Sequence, residues 1–176
     1  MKHIIFPRGI NVGGRTIKMA DLKACLEKAG FRNVITILQS GNVIVESKEA
    51  DSGKLRGRIE ALLGKTFDYP AKVMVITPAE LEEIIRKYPA SMNQDEEFHR
   101  YVIFTENGFE KELCRQAGEL DKTVEAVSPG KNVVYWRVQK GLTLGSSFGK
   151  LMDRAAAKQF LTNRNLNTLE KIMMKV

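Results

Sequence analysis

Apolar residues recur along this chain in two rhythms, and the two alternate. Ile4, Ile5 and Phe6 form a short apolar run that predicts a strand over 3–6. Met19, Leu22, Leu26 and Ala29 then fall on one face of a helix, which Gly30 stops. Residues 34–38 and 42–46 are rich in β-branched side chains and predict two strands, with Gln39-Ser40-Gly41 as the turn between them. Asp51 or Ser52 caps a second helix that carries Leu55, Ile59, Leu62 and Leu63 inward and ends at Gly64. Val73, Val75 and Ile76 predict a strand over 72–76. The order βαββαβ is that of a ferredoxin-like unit.

Thr77-Pro78-Ala79-Glu80 opens a third helix: Thr caps, Pro suits the first helical position, and Glu reaches back. Leu81, Ile84, Ile85 and Tyr88 are its buried face, and Pro89 ends it. Residues 89–97, including Asn93-Gln94-Asp95-Glu96-Glu97, read as a linker or a long loop. The order then restarts. A strand over 100–105 is followed by a helix marked by Phe109, Leu113, Ala117 and Leu120. Strands follow over 123–127 and 132–138, separated by a Ser128-Pro129-Gly130 turn, and residues 142–144 extend the second or form a short hairpin. Phe148, Leu151, Met152, Ala155 and Phe160 mark another helix. The tail over 162–170 ends in a short helix, with Asn167 and Glu170 as a capping pair and Leu169, Ile172, Met173 and Val176 as its apolar stripe.

The expected fold is therefore α+β: duplicated ferredoxin-like (βαββαβ-type) halves, with antiparallel sheets and helices packed on one face. Ile4-Ile5-Phe6 against Val102-Ile103-Phe104 supports the duplication. The halves divide at 1–89 and 90–176, or form one intertwined unit.

Composition narrows the class of protein. With 176 residues, 43% hydrophobic and 28% charged, the chain is an ordinary globular one. No apolar run approaches the ~20 residues of a membrane span. Cys25 and Cys114 stand in separate helical patterns with no CxxC pair, which suggests reduced thiols and a cytoplasmic location. The net charge of +7 is unevenly spread: residues 1–23 carry +4, residues 137–176 carry +6, and the middle −3. If the basic ends meet, they make a surface that attracts phosphates or nucleic acid. A solvated basic surface without a partner explains the charge equally well.

Several motifs fall away on inspection. Gly145-Ser146-Ser147-Phe148-Gly149 fits the G-x-S-x-G pattern, but both histidines, His3 and His99, lie upstream, which the hydrolase order forbids. Gly149-Lys150 at a helix start lacks Walker spacing and is followed by Leu151. It can still bind an anion through free N–H groups with Ser146, Ser147 and Lys150, or be a capped connector. No His, Cys or carboxylate cluster has metal-ligand spacing, so no metal and no cofactor are expected. His3 and His99 read as strand-edge residues, and the cysteines as core. Tyr135 and Trp136 alternate on a strand, so one is expected inward and one outward, where an aromatic beside Arg137 could stack a base.

Arg8-Gly9-Ile10-Asn11-Val12-Gly13-Gly14 is the most informative stretch. Its glycines and donors suit a backbone anion cradle or a plain bend. Together with Gln39-Ser40-Gly41-Asn42-Val43 and Thr162-Asn163-Arg164-Asn165-Leu166-Asn167-Thr168, it resembles the bacterial family called domain of unknown function 1697. The resemblance runs over essentially the whole chain, although the family commonly places Trp where this chain has Leu166. It implies an α+β fold with a duplicated ferredoxin-like character, and no assigned activity.

The polar loop residues of these blocks are easier to explain by a site than by packing. Arg8, Asn11, Gly13, Gly14, Gln39, Asn42, Lys150, Arg164, Asn165 and Asn167 are the candidate ligand-binding residues, expected to converge on one basic pocket. The first expectation for function is a cytoplasmic binding protein for a phosphorylated small molecule, nucleotide or nucleic acid. The alternatives are a metal-independent enzyme on an anionic small molecule, or a homo-oligomeric interaction module. No catalytic residue can be singled out.

Overall fold

The structure, a computed structural model, describes residues 1–39, 41–93 and 96–176. Ser40 of the expected turn, and Gln94 and Asp95 of the expected linker, lie outside the described residues. The chain forms two compact units, Met1–Leu81 with Ile172–Val176, and Glu82–Lys171.

The first unit runs β1 (Lys2–Arg8), α1 (Met19–Lys28), β2 (Arg32–Ile37), β3 (Asn42–Glu46), α2 (Ser52–Phe67) and β4 (Lys72–Ile76). Its sheet has the order β2-β3-β1-β4, and its three strand pairings are antiparallel. Alternation along the strands sends Ile5, Val43, Val45, Val73 and Val75 to the face covered by the helices. There they meet Leu22 and Leu26 of α1 and Leu55, Ile59 and Leu63 of α2 in one core.

Local signals explain the helix ends. Asp51 accepts from Gly53 N and Lys54 N at 2.8 and 3.0 Å, so it, rather than Ser52, is the cap of α2. Gly64 does not end α2, which runs three residues further to Phe67. Tertiary burial of Leu63 and the partly buried Phe67 outweighs the modest cost of glycine inside a helix. His3 is not at an edge: β1 lies between β3 and β4, the imidazole is fully buried, and its Nε2 is 3.0 Å from the Glu49 carbonyl.

Helix α3 (Pro78–Arg86) carries the chain from the first unit into the second. Its capping box is formed as expected: Glu80 N donates to Thr77 Oγ1 at 3.2 Å and Thr77 N to Glu80 Oε2 at 2.7 Å. The second unit repeats the first order with β5 (Phe98–Phe104), α4 (Phe109–Ala117), β6 (Glu125–Pro129), β7 (Val133–Gln139), α5 (Ser147–Ala156) and β8 (Thr162–Asn165), and α6 (Leu166–Met173) closes the chain. Its sheet order β6-β7-β5-β8 matches that of the first unit strand for strand. Ile103, Leu113, Val134, Trp136, Val138 and Phe148 form its core beneath α4 and α5.

Three expectations change in this unit. The strand expected at 123–127 lies two residues later, so Ser128 and Pro129 pair with Tyr135 and Val134 instead of turning. Pro129 is tolerated because β6 is an edge strand. The polar stretch 162–165, expected as a tail leading into a short helix, is β8, hydrogen-bonded to β5 over Tyr101–Phe104. And neither aromatic of β7 points outward to solvent. Trp136 is fully buried, and Tyr135, only 3% exposed, packs edge-on against Tyr88 and donates to the Ile84 carbonyl.

Candidate functional site

Six of the candidate residues belong to the first unit. Arg8 ends β1, half-buried and paired in register with Lys72. Lys72 is balanced by Glu60 at 3.5 Å. After β1 the chain turns on itself: Ile17 N donates to Ile10 O, and Arg15 N to Val12 O. Ile10 is the anchor of this turn, buried among the core residues, while Asn11, Gly13 and Gly14 are exposed. Arg15 braces it, with its guanidinium 4.6 Å over the Tyr69 ring.

The turn after β1 and the turn before β3 touch. Asn11 Nδ2 donates to the Gln39 carbonyl at 2.7 Å. A Cβ on Gly41 would lie 2.2 Å from Ile10 Cδ1, and its φ of +73° is one that other residues rarely adopt. Glycine at 41 is what lets these loops close together. The Gln39 side chain is exposed, whereas Asn42 is fully buried and its amide donates to Ile37 O across the hairpin. Asn42 therefore has a structural job.

The other four candidates belong to the second unit, and they separate. Lys150 is exposed on α5. The N-terminus of that helix is already filled by the chain's own carboxylate: Glu125, 2% exposed, accepts from Phe148 N at 3.0 Å and from Trp136 Nε1 at 3.1 Å. Ser146 supplies the cap to Gly149 N. Gly149 allows the helix to sit against the preceding loop, since a Cβ there would be 2.1 Å from the Thr143 carbonyl oxygen. The expected anion site at Lys150 thus resolves into a capped, internally neutralised helix start. Arg164 donates to Thr162 Oγ1 and the Asn163 carbonyl at 2.9 and 2.7 Å, and burial pushes its guanidinium down to about 10.

Asn165 and Asn167 come together at a cleft of about 660 Å³ with Asn93, Phe98, Arg100 and Lys140; His99 and Glu96 complete its wall. Asn165, not Asn167, caps α6, its Oδ1 accepting from Asn167 N at 2.9 Å. That leaves the Asn167 side chain for Arg100, whose guanidinium donates to Asn167 Oδ1 at 2.6 Å and also to Asn93 Oδ1. Among the described residues Arg100 makes no ion pair. Its fork is held by neutral amides, and Glu96 is the one carboxylate residue among those that line the cleft.

Arg137 neighbours this arrangement. It lies opposite Arg100 across β5 and β7, with its guanidinium 4.4 Å over the Phe98 ring. Tyr88 donates to the Trp136 carbonyl at 3.0 Å; burial pushes its phenol up, and the charges of Arg100 and Arg137 both oppose that shift.

Of the residues around this cleft, the sequence singles out Asn165 and Asn167 as candidates and does not single out Arg100, Asn93, His99 or Lys140. The available signal was the polar start of a central strand, Phe98-His99-Arg100, ahead of the apolar run 101–104. Among the described residues no group of three or more His, Cys, Asp or Glu could hold a metal ion, and no helix is long and apolar enough to cross a membrane.

These features define an α+β protein of two ferredoxin-like units, each an antiparallel four-stranded sheet with the two helices of its βαββαβ order on one face. The chain belongs to the family described as protein of unknown function (DUF1697), whose model matches residues 1–135. It is similar in structure to the conserved bacterial protein SP0830 from Streptococcus pneumoniae, with a TM-score of 0.80 and 21% identity over 98% of this chain and 97% of that one. That likeness carries the fold. No curated protein matches the chain.

Proposed function

We propose that this protein binds a phosphorylated ligand, a nucleotide or nucleic acid, and that the cleft around Arg100 receives the phosphate. One observation carries the reading: a guanidinium fixed by the two amide oxygens of Asn93 and Asn167, with no ion pair among the described residues, in a cleft that also presents Lys140 and His99. A structural arginine is normally paired with a carboxylate or buried over backbone carbonyls, whereas neutral partners orient a fork and leave its charge for an anion. Two free thiols, Cys25 and Cys114, support a cytoplasmic location.

A thermal-shift screen of nucleotides, phosphosugars and oligonucleotides tests it, on wild type, Arg100→Ala and Arg8→Ala. A ligand at a hundred times its dissociation constant adds about 2.7 kcal/mol to the wild type. Arg100→Ala abolishes the shift. Equal shifts in wild type and Arg100→Ala would falsify the cleft, and loss in Arg8→Ala alone would move the site to the loops of the first unit. Salt separates ligand classes: binding that falls about 10³-fold or more between 50 and 200 mM salt marks a nucleic acid with many phosphate contacts.

A further inference from the structure

The three asparagines that line the cleft all have their oxygens engaged. Asn93 Oδ1 and Asn167 Oδ1 accept from the Arg100 guanidinium, and Asn165 Oδ1 accepts from Asn167 N at 2.9 Å. A guanidinium and a backbone N–H only donate, so each amide must turn its oxygen to its partner. Reversing any of the three would set N–H against N–H. What each amide has left to offer is its Nδ2 group, with two N–H donors. Arg100 and Lys140 add further donors and two positive charges. Against them the described lining sets one carboxylate, Glu96, exposed on the wall. His99 adds one acceptor nitrogen when its ring is neutral. Two cations and one carboxylate leave the lining net positive, with donors in excess and a single charged acceptor.

Resting on the phosphate reading above, we infer that the ligand is a hydroxylated organic phosphate, a sugar phosphate being the plain case. Its phosphate oxygens meet Arg100 and the amide donors, and one of its hydroxyls donates to Glu96. A phosphate whose oxygens all accept has nothing to give a carboxylate and is repelled by it. The ligand must therefore carry a donor besides its phosphate. A hydroxyl both donates and accepts, so it suits a wall of amide N–H groups with one carboxylate among them. An ammonium only donates and leaves the amides unmatched, while an ether oxygen only accepts and leaves Glu96 unmatched. Arg100 is then the phosphate anchor and Glu96 the residue that sets specificity.

Glycerol 3-phosphate and propyl phosphate are the minimal pair of probes, alike in carbon chain and phosphate and different in two hydroxyls. Each is titrated into the full chain at about pH 7.5, above the second phosphate pKa near 6, so both are dianions. Amide chemical shifts report the binding. Wild type binds glycerol 3-phosphate at least about tenfold more tightly, the worth of one charge-assisted hydrogen bond. Glu96→Ala, at an exposed position where folding is not at stake, cuts the preference to about threefold or less. Propyl phosphate binds this variant no more weakly, because a repelling charge is gone. Equal affinity of wild type for the two probes overturns the hydroxyl inference and leaves the cleft reading standing. A preference that survives Glu96→Ala also overturns it, because the hydroxyl is then read elsewhere. So does tighter binding of phosphoethanolamine than of glycerol 3-phosphate, which would make an ammonium the partner of Glu96. Binding of neither probe, or binding undiminished in Arg100→Ala, removes the cleft reading and this inference with it.

Discussion

The indole of Trp136 donates to the carboxylate of Glu125 at 3.1 Å, and the second oxygen of that carboxylate receives the first turn of α5 through Phe148 N at 3.0 Å. One buried acid therefore satisfies a core side chain and a helix N-terminus, where negative charge is favoured. Glu125→Gln keeps the shape but offers one acceptor oxygen for two donors. It should cost the second unit about 2 kcal/mol, with Glu125→Ala costing more, since a buried donor left unmade costs about 1–3 kcal/mol. Urea unfolding followed by Trp136 fluorescence measures both. A change below a few tenths of a kcal/mol would refute this role for the carboxylate.

Gly149 is the position where α5 has no room. A side chain there meets the Thr143 carbonyl oxygen, a backbone atom that cannot swing aside. Gly149→Ala should destabilise by about 1–3 kcal/mol despite alanine's better helix propensity. Gly57→Ala on α2, where nothing lies within 4 Å, is the control and should be neutral or stabilising. Paired thermal melts of the two variants decide the matter.

Asn165 serves both the fold and the cleft, and one substitution separates its two roles. Asn165→Asp keeps an oxygen to cap Asn167 N but adds a negative charge beside Arg100. Stability should hold within about 0.5 kcal/mol, while affinity for a phosphorylated ligand falls at least about tenfold. Asn165→Ala loses about 1 kcal/mol of capping. If the aspartate variant binds phosphate as well as wild type, the cleft is not the phosphate site.

Cys114 supplies a pH-dependent readout. Burial pushes its thiol up to about 11, with the Glu110 charge adding to the effect. A pKa raised in the folded state favours the folded protein below the ordinary thiol value, and that contribution is lost as pH rises from there through about 11. Iodoacetamide labelling read by mass spectrometry should find Cys114 slow at pH 8 and still accelerating above pH 10. A labelling rate that plateaus near the ordinary thiol value would contradict the buried setting.

How much of this was written plainly in the sequence depends on how local each cause is. The helix starts rest on contacts two or three residues long: Thr77 read correctly, and the α2 cap was narrowed to Asp51 or Ser52, of which Asp51 is the cap. Strands β3 and β4 read correctly too, since their β-branched runs need no distant partner to be recognised. Strand β8 did not, because Thr-Asn-Arg-Asn has no apolar alternation. Its strand character comes from pairing with β5, some sixty residues earlier. Arg100 was passed over for the same reason: its meaning depends on Asn167, 67 residues away. Of the two readings at Lys150, the geometry fits the capped connector: Ser146 caps the helix, and Glu125, 23 residues before Phe148, occupies its start. Tyr135 faces away from Trp136 as alternation requires, but that face of β7 is covered too, so no aromatic reaches solvent.

The route of the chain through its two units has a consequence for synthesis. The first unit is drawn from two separated stretches: Ile172, fully buried, belongs with residues 1–81, and Lys2 donates to the Val176 carbonyl. Residues 1–81 are made first, yet the first unit cannot close until residues 172–176, made after the whole of the second, have joined it.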